Sequence, residues 1–444
     1  MMPRVLIVVH GYPPGGRGGA EGRAARTARG LAGRGWSVSV LAHDAAAGGR
    51  ASNRQAGVPA WSDADEDGVR VRRIAANPDG GQGAFVDSYD NAAVAAALEG
   101  MLREHQADVV HLFSGYLMSA SVVTTARRLG IPVAVSLTDY WWFCHRINLL
   151  KPDGTRCDGP SPGACARCAC EARRRWRLPS AAAPKTAGLV WSIASRSPAL
   201  HSWLGVDAQA QRAGFLSAAL ARADLLLAPS RFLADFYVRH GVDPGKISVH
   251  RQGVARTEPG TRVPADEMRF GCAGQIKAHK GVDLLLTAWS RLTGPRRRQL
   301  ALYGSAAGEE AYGSRIRRML GRLPDARWDG EYAAGGAWDM LARTDVLVVP
   351  SRWVENSPNI ILEAQAMKVP VVGTDLGGIA ELVSHERDGL LFEVDNADDL
   401  ARQLQRLLDE PGLREALSSS APAVRSLEDE YDDLECLYRS LSAA

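Results

Sequence analysis

The sequence predicts a parallel α/β fold in two tandem sheets, and three observations carry that prediction. Short apolar runs such as Val5–Val9, Val109–Leu112, Leu225–Ala228 and Val346–Val349 have the continuous hydrophobicity of strands buried on both faces. Segments of helical periodicity separate them, and strand alternating with helix means parallel pairing with crossover helices. The pattern runs through twice, and 444 residues are too many for one ordinary core.

In the first half, Val5–Val9 leads into a glycine-rich loop, Gly11 to Gly19, and a helix over about Ala20–Ala32 that stops at Gly33 and Gly35. Strands follow near Val38–Leu41, Val109–Leu112 and Val133–Leu137, with helices near Asn91–His105 and Ser119–Leu129. From Phe143 to about Ser202 the alternation breaks into a Cys-, Pro- and Arg-rich segment, read as an insertion with its own short helices. The pattern resumes at Leu225–Ala228, where Ser230 is placed to cap a helix ending at His240. After Ile247–Val249, a loop with Pro259 and Pro264 reads as a linker. The second half carries strands near Phe270–Ala273, Gln299–Tyr303, Val346–Val349 and Val371–Gly373. Its helices lie near Val282–Leu292 and Asn359–Met367, and a helical tail spans Leu400 to Leu441. The expected division is an acceptor-binding domain over 1–255 with the insertion at 143–202, a donor domain over 256–425, and a final helix, 426–444, returning to the first domain.

Composition excludes several classes. Apolar residues make up 46% and charged residues 23%, the balance of a globular protein, and a net charge of +3 gives no reason to expect nucleic acid. No stretch reaches the roughly 18 apolar residues of a membrane span. The apolar run after Met1 ends at His10 without a cleavage-site pattern, so a cytoplasmic location is expected. Seven cysteines, five of them between Cys144 and Cys170, then read as something other than a disulfide framework.

The segment Pro350-Ser-Arg-Trp-Val-Glu-Asn-Ser-Pro-Asn-Ile-Ile-Leu-Glu-Ala364 concentrates the chemistry. A strand ends, a loop carries Glu355, and a helix begins near Asn359 and carries Glu363. Unpaired N–H groups and the positive dipole end at such a helix start suit anions and polyols. One carboxylate can accept hydrogen bonds from sugar hydroxyls and the other from a ribose. Two solvated glutamates flanking a helix start are the bland reading of the same residues.

This segment resembles the E-x7-E motif of family-4 glycosyltransferases, retaining enzymes of the GT-B fold with two Rossmann-like domains facing a cleft. Gly18-Gly19-Ala20-Glu21 is similar to that family's GGAE loop. Gly274-Gln-Ile-Lys-Ala-His-Lys-Gly281 is similar to its phosphate-binding loop, and Asp345–Ser351 and Gly373–Gly378 fall in the same order. The resemblance implies that Glu355 meets the transferred sugar and that Asn356, Ser357, Pro358 and Asn359 line its hydroxyls. It implies that Glu363 binds ribose and that Lys280 offsets charge on the leaving diphosphate. Gly18, Gly19, Gln275, Tyr303, Gly304 and Tyr332 complete the donor side. Gln275 stands where many members have Arg, leaving more to Lys277 and Lys280. Thr138 stands where many have a sugar-facing His, so Asp139, Thr138 and His111 become the acceptor-side candidates, Asp139 also as a catalytic group. His111 reads equally well as a satisfied strand-end histidine.

The resemblance implies a nucleotide-diphosphate sugar donor whose phosphates are met by a lysine and helix ends, and with them no catalytic metal is expected. The acceptor is expected to be a glycan, a lipid-linked saccharide or a small molecule. A nicotinamide oxidoreductase would need G-x-G-x-x-G after the first strand, and Glu21 stands where its third glycine belongs. A 2-epimerase or hydrolase of the same fold and a non-catalytic partner in glycan assembly compete with the transferase reading.

Cys144, Cys157, Cys165 and Cys168 form C-x12-C-x7-C-x2-C, a spacing suited to structural Zn2+ in a segment with little apolar material. An iron–sulfur cluster, a redox thiol pair and plain reduced thiols are the competing readings. Arg173-Arg-Arg-Trp-Arg177 and the Ala/Trp-rich stretch to Trp203 suit either a solvated helix face or peripheral contact with the inner face of the plasma membrane.

Overall fold

The computed structural model describes the chain except residues 1, 16–17, 45–52, 56–57, 76–84, 158, 259, 295–296, 333–335 and 444. Residues 16 and 17 belong to the expected glycine-rich loop, and Pro259 to the expected linker; both lie outside the described residues. The chain divides into two compact units. One comprises Met1–Pro229, Ala234–His250 and Tyr431–Ala444; the other comprises Ser230–Leu233 and Arg251–Glu430.

The first unit is built on a nine-stranded sheet. Its strands are β1 (Arg4–Val9), β2 (Ser37–His43), β3 (Asn53–Gln55), β4 (Val58–Glu66), β5 (Val69–Ile74), β6 (Val109–Leu112), β7 (Val133–Ser136), β8 (Leu225–Ala228) and β9 (Ile247–Val249). They lie in the order β3-β4-β5-β2-β1-β6-β7-β8-β9. From β5 to β9 every pairing is parallel, and Val5, Leu6, Ile7, Val8 and Val9 have essentially no exposed surface. This is why the strands read as unbroken apolar runs. β3 and β4 are antiparallel additions at the edge. The sequence pattern does not reveal them because Trp61-Ser-Asp-Ala-Asp-Glu66 is too polar for a buried strand. The structure resolves the conflict by pairing Asp63 with Arg72, whose guanidinium also reaches Glu104.

The segment after β7 contains helices at Pro162–Glu171, Arg174–Ala182, Pro184–Ala194 and Pro198–Leu204, then the longer helix Val206–Arg222. Ser161 caps the first of these by accepting from Ala164 N–H.

The C-terminal part of this unit, from Tyr431 onward, is formed by the last helix, Leu427–Ala443. Leu434 and Tyr438 join the core formed by β1, β2 and the helix Gly19–Gly33. Tyr438 and Ser136 share the two ring nitrogens of His111, which has no exposed surface. Burial, then the nearby Arg23 and His250, keep this imidazole neutral and far below its ordinary range.

The second unit holds a six-stranded, all-parallel sheet. Its strands are β10 (Met268–Ala273), β11 (Arg298–Tyr303), β12 (Ala326–Gly330), β13 (Val346–Val349), β14 (Val371–Thr374) and β15 (Gly389–Phe392), in the order β12-β11-β10-β13-β14-β15. Two apolar clusters cover its faces, one centred on Phe270, Trp289 and Leu404, the other on Leu347, Ile361 and Ile379. The expected helical tail is three helices, Ala397–Asp409, Leu413–Ser419 and Leu427–Ala443, because Pro411 and Gly412 and then Pro422 interrupt it.

Removing the Tyr438 hydroxyl leaves a buried imidazole nitrogen unpaired. Tyr438→Phe is therefore expected to lower stability by roughly 1–3 kcal/mol, measured as a reduced urea midpoint at unchanged slope.

Candidate functional site

In the second sheet the chain runs outward from β10 to β11 and β12, then returns to the opposite side of β10 as β13. Neighbouring strands whose connections leave in opposite directions open a crevice at their carboxyl ends, the usual ligand position in such sheets. The loop after β10 carries Gln275, His279 and Lys280; the loop after β13 carries Ser351 to Pro358.

These two loops meet. Lys280 Nζ lies 2.6 Å from Glu355 Oε1, which also accepts from Ser351 Oγ at 3.0 Å. Glu355 is only 7% exposed, so its carboxylate is oriented by its two partners rather than by water. Lys280 also stands over the Trp353 ring, 5.1 Å from its centroid. His279 packs edge-on against the same indole and its carbonyl accepts from Arg352 N–H. Burial, then the adjacent Lys280 charge, push the His279 imidazole down to about 4, against a smaller opposing pull from Glu355.

Backbone contacts hold the loops in register. Gly281 has φ +71°, and a Cβ there would sit 1.9 Å from the Pro350 carbonyl oxygen. Gly378 donates its N–H to the Glu355 carbonyl at 2.7 Å, and a Cβ on it would strike the Asn356 carbonyl. Only glycine permits both approaches.

The helix Asn359–Ala366 starts directly behind Glu355 with Pro358 at its N-cap. Asn356 is buried, and Ser357, Asn359 and Glu363 are partly exposed. Ser357 Oγ and Asn359 Oδ1 are buried polar atoms with no hydrogen-bond partner among the described residues. Native interiors rarely leave such atoms unmet, and this helix start has the donors and acceptors to take a polar group. The Glu363 charge reaches Tyr332; burial first, then that charge, raise the Tyr332 phenol.

A cavity of about 570 Å³ lies at the ends of β11 and β12, lined by Gly304, Ser305, Arg317, Trp328, Gly330 and Glu331 among others. Trp328 donates its indole N–H to the Gly304 carbonyl and lies under Arg317. Tyr303 is partly buried and Gln275 is exposed. The structure thus gathers Lys280, Glu355, Ser357 and Asn359, links Glu363 to Tyr332, and puts Gly304 at the adjacent cavity.

The first sheet has the same reversal between β1 and β6. Glu21, in the first turn of the helix Gly19–Gly33, folds its carboxylate back onto the Gly18 N–H. That amide, at the exposed Gly18 expected on the donor side, is occupied by Glu21. Gly19 opens the helix with free space around its Cα. Thr138 and Asp139 follow β7, with Thr138 Oγ1 bonded to the Phe113 carbonyl and Asp139 accepting from Trp141 N–H at 2.8 Å. Asp139 keeps part of its surface open yet sits deep enough that lost hydration raises its carboxyl above the usual range. His111 is apart from these two: it is closed in the core by Tyr438 and Ser136.

One group carries no signature in the sequence. His10, at the end of β1, lies 3.4 Å from Glu21 and edge-on to Tyr116, and its charge is felt by Asp139. A lone histidine after an apolar run gives no signal; its position at the first sheet's reversal does.

Cys144, Cys157, Cys165 and Cys168 are free thiols, the last two one turn apart on one helix. Burial, together with the negative charge each would share with the others, pushes Cys165 up to about 11 and Cys168 up to about 12. Among the described residues, no three His, Cys, Asp or Glu side chains are placed to hold a metal.

Residues 18–164 match the family model described as glycosyl transferase 4-like domain, and residues 267–410 the model described as glycosyl transferases group 1. The D-inositol 3-phosphate glycosyltransferase of Streptomyces bingchenggensis is 31% identical over 220 residues, 45% of this chain and 48% of that protein. The protein of the same name from Actinosynnema mirum is 30% identical over 273 residues, 56% and 63% of the two chains. The chain thus spans about half the length of most curated relatives it matches. Among solved structures, Anabaena HepE in complex with UDP and glucose superposes with a TM-score of 0.65 at 16% identity, covering 99% of this chain and 100% of the other. The catalytic domain of starch synthase IV from Arabidopsis thaliana, bound to ADP and acarbose, gives 0.63 at 14% identity with full coverage of both chains. These likenesses show the GT-B fold.

The depressed His279 defines a pH dependence. Unfolded, this histidine protonates near its ordinary value of about 6.5; folded, it does so near 4. Between those values the unfolded chain binds the extra proton, so stability falls as pH drops through this window. His279→Gln should flatten the fall, read from urea midpoints taken across that pH range.

Proposed function

We infer, from a GT-B chain whose first part matches a glycosyl transferase 4-like model and whose second matches a group 1 model, that this protein transfers a sugar from a nucleotide diphosphate to an acceptor with retention of anomeric configuration. The observation that carries the reading is the Lys280–Glu355 pair beside the unmet Ser357 and Asn359 atoms at a helix start.

The roles follow from charge and geometry. The leaving diphosphate gains negative charge as the glycosidic bond breaks, and Lys280 with the helix Asn359–Ala366 offers fixed positive potential against it. Glu355, held by Lys280 and Ser351, presents a carboxylate to the hydroxyls of the transferred sugar. Ser357 and Asn359 complete that hydroxyl set. Glu363 takes the ribose, and the cavity at Gly304, Trp328 and Glu331 takes the base. Among the described residues, no side chain beside Glu355 is set up as a separate attacking nucleophile, which favours reaction on one face of the sugar. There the departing phosphate receives the acceptor proton. Asp139 is the acceptor-side group, its raised carboxyl suited to hydrogen bonding with a hydroxyl. The donor set needs no catalytic metal, since Lys280 and the helix N-terminus supply the positive charge.

UDP in one structural neighbour and ADP in another support a nucleoside diphosphate here, with uridine and guanosine hexose donors the first to test. The acceptor class proposed is a glycan, lipid-linked saccharide or small polyol. Structural zinc is proposed for Cys144, Cys157, Cys165 and Cys168 on their C-x12-C-x7-C-x2-C spacing; the thiols would have to draw together from the arrangement described to bind it.

Glu355→Gln and Lys280→Met should each lower kcat by roughly 10²–10³-fold with the fold intact. Full transfer activity in Glu355→Gln would overturn the assignment. Glu363→Ala should weaken nucleotide affinity instead, measured as loss of the thermal stabilisation that a hundredfold excess of ligand gives, about 2.7 kcal/mol. For the cysteines, protein purified without added zinc should carry about one zinc ion per chain, and Cys165→Ser should abolish it; metal-free protein of unchanged stability would exclude the site.

A further inference from the structure

The helix Pro184–Ala194 is apolar on both sides. Trp191 and Ala194 face inward onto a small cluster of Ala166, Leu204 and Val206, and Trp191 donates its indole N–H to the Gly163 carbonyl at 3.1 Å. Leu189 and Ile193 lie on the opposite face of the 3.6-residue period, each 63% exposed, and Val190, on the flank beside Ala194, is 60% exposed. A helix apolar all round is normally covered on all sides. Bare apolar side chains recur in the flanking helices, with Leu178 at 60% and Trp203 at 73% exposure, and Trp203 packs edge-on against the exposed Trp176. Five large apolar side chains bare to more than half within about 25 residues exceed the scattered exposure of an ordinary surface.

Charge selects what covers this face. From Ala172 to Val206 the chain has six Lys or Arg residues and no Asp or Glu. Arg173, Arg177, Lys185 and Arg196 are exposed, and none forms an ion pair with a described residue. A protein partner would have to supply all the counter-charge for this border. An anionic lipid headgroup layer supplies it everywhere, and two tryptophans beside the apolar stripe suit the boundary between headgroups and acyl chains. Among the described residues no helix is long and apolar enough to cross a membrane. The segment has the composition of helices that lie in the interface plane.

We infer that the face formed by Leu178, Leu189, Val190, Ile193 and Trp203, bordered by Arg173, Arg177, Lys185 and Arg196, docks this protein onto an anionic lipid bilayer. The inference stands apart from the assigned reaction, because it involves none of the residues placed at the donor or acceptor site. It would bring the first unit to acceptors held in a membrane.

Co-sedimentation of the full chain with vesicles tests it. Binding is expected to vesicles containing phosphatidylglycerol, to weaken with salt, and to be far weaker with pure phosphatidylcholine. Ile193→Glu should weaken partitioning about tenfold or more, and Lys185→Gln or Arg196→Gln roughly fivefold each. These side chains point away from the core, so all three variants should keep the parent's thermal midpoint. Equal binding to both vesicle types, or none to either, overturns the inference. So does a self-associated parent that Ile193→Glu converts to monomer without lipid, since the face would then bind a second copy. Nucleotide-induced stabilisation measured on the same variants separates this outcome from any failure of the donor site.

Discussion

Main chain against main chain is the constraint on which the second unit's site depends. Gly281 under the Pro350 carbonyl and Gly378 against Glu355 and Asn356 leave no room for a side chain. Gly304, whose added Cβ would sit 1.7 Å from the Gly274 carbonyl oxygen, does the same one strand further out. With loops this close, Lys280 and Glu355 reach each other across the reversal between β10 and β13 although they lie 75 residues apart. A single methyl group at any of the three glycines would move a loop rather than a side chain.

Electrostatics then follow from that closeness. A charged lysine beside a buried glutamate is tolerated because each meets the other's charge, whereas an unpaired Glu355 would carry a desolvation penalty. The neighbouring His279 shows the cost to a cation whose burial outweighs the pull of Glu355: its imidazole stays neutral down to about pH 4. A lower ring of ion pairs supports the loops from behind. Asp283, only 4% exposed, receives Arg352 at 2.6 Å and Arg315 at 3.0 Å, with the Tyr312 hydroxyl at 2.8 Å.

Much of this fold was legible because buried parallel strands are continuous apolar runs. Val109–Leu112, Leu225–Ala228, Ile247–Val249 and Val346–Val349 begin and end where the sequence places them. The hairpin of β4 and β5 was not legible, since its stability comes from the Arg72–Asp63–Glu104 network, which no periodicity reveals. Around the candidate site, the positions of Glu355 and Glu363 in a loop and a helix could be read from Pro350 and Pro358. That His10 lies against Glu21 and Tyr116 depends on contacts between separate segments, and that Glu21 folds back onto the Gly18 N–H is a local contact that no spacing announces. His111 offered two readings, and only the Tyr438 and Ser136 contacts distinguish them.

The same histidine sets an order on biosynthesis. The Nδ1 of His111 is made 327 residues before the Tyr438 hydroxyl it contacts. On a ribosome, β1, β6 and β7 can therefore assemble while one polar atom in their core still lacks its partner and the seat of Leu434 and Tyr438 is empty. The first unit reaches its finished packing only after the whole second unit has been translated. A nascent chain stalled before Tyr431 would expose that apolar seat, the surface that chaperones and proteases recognise.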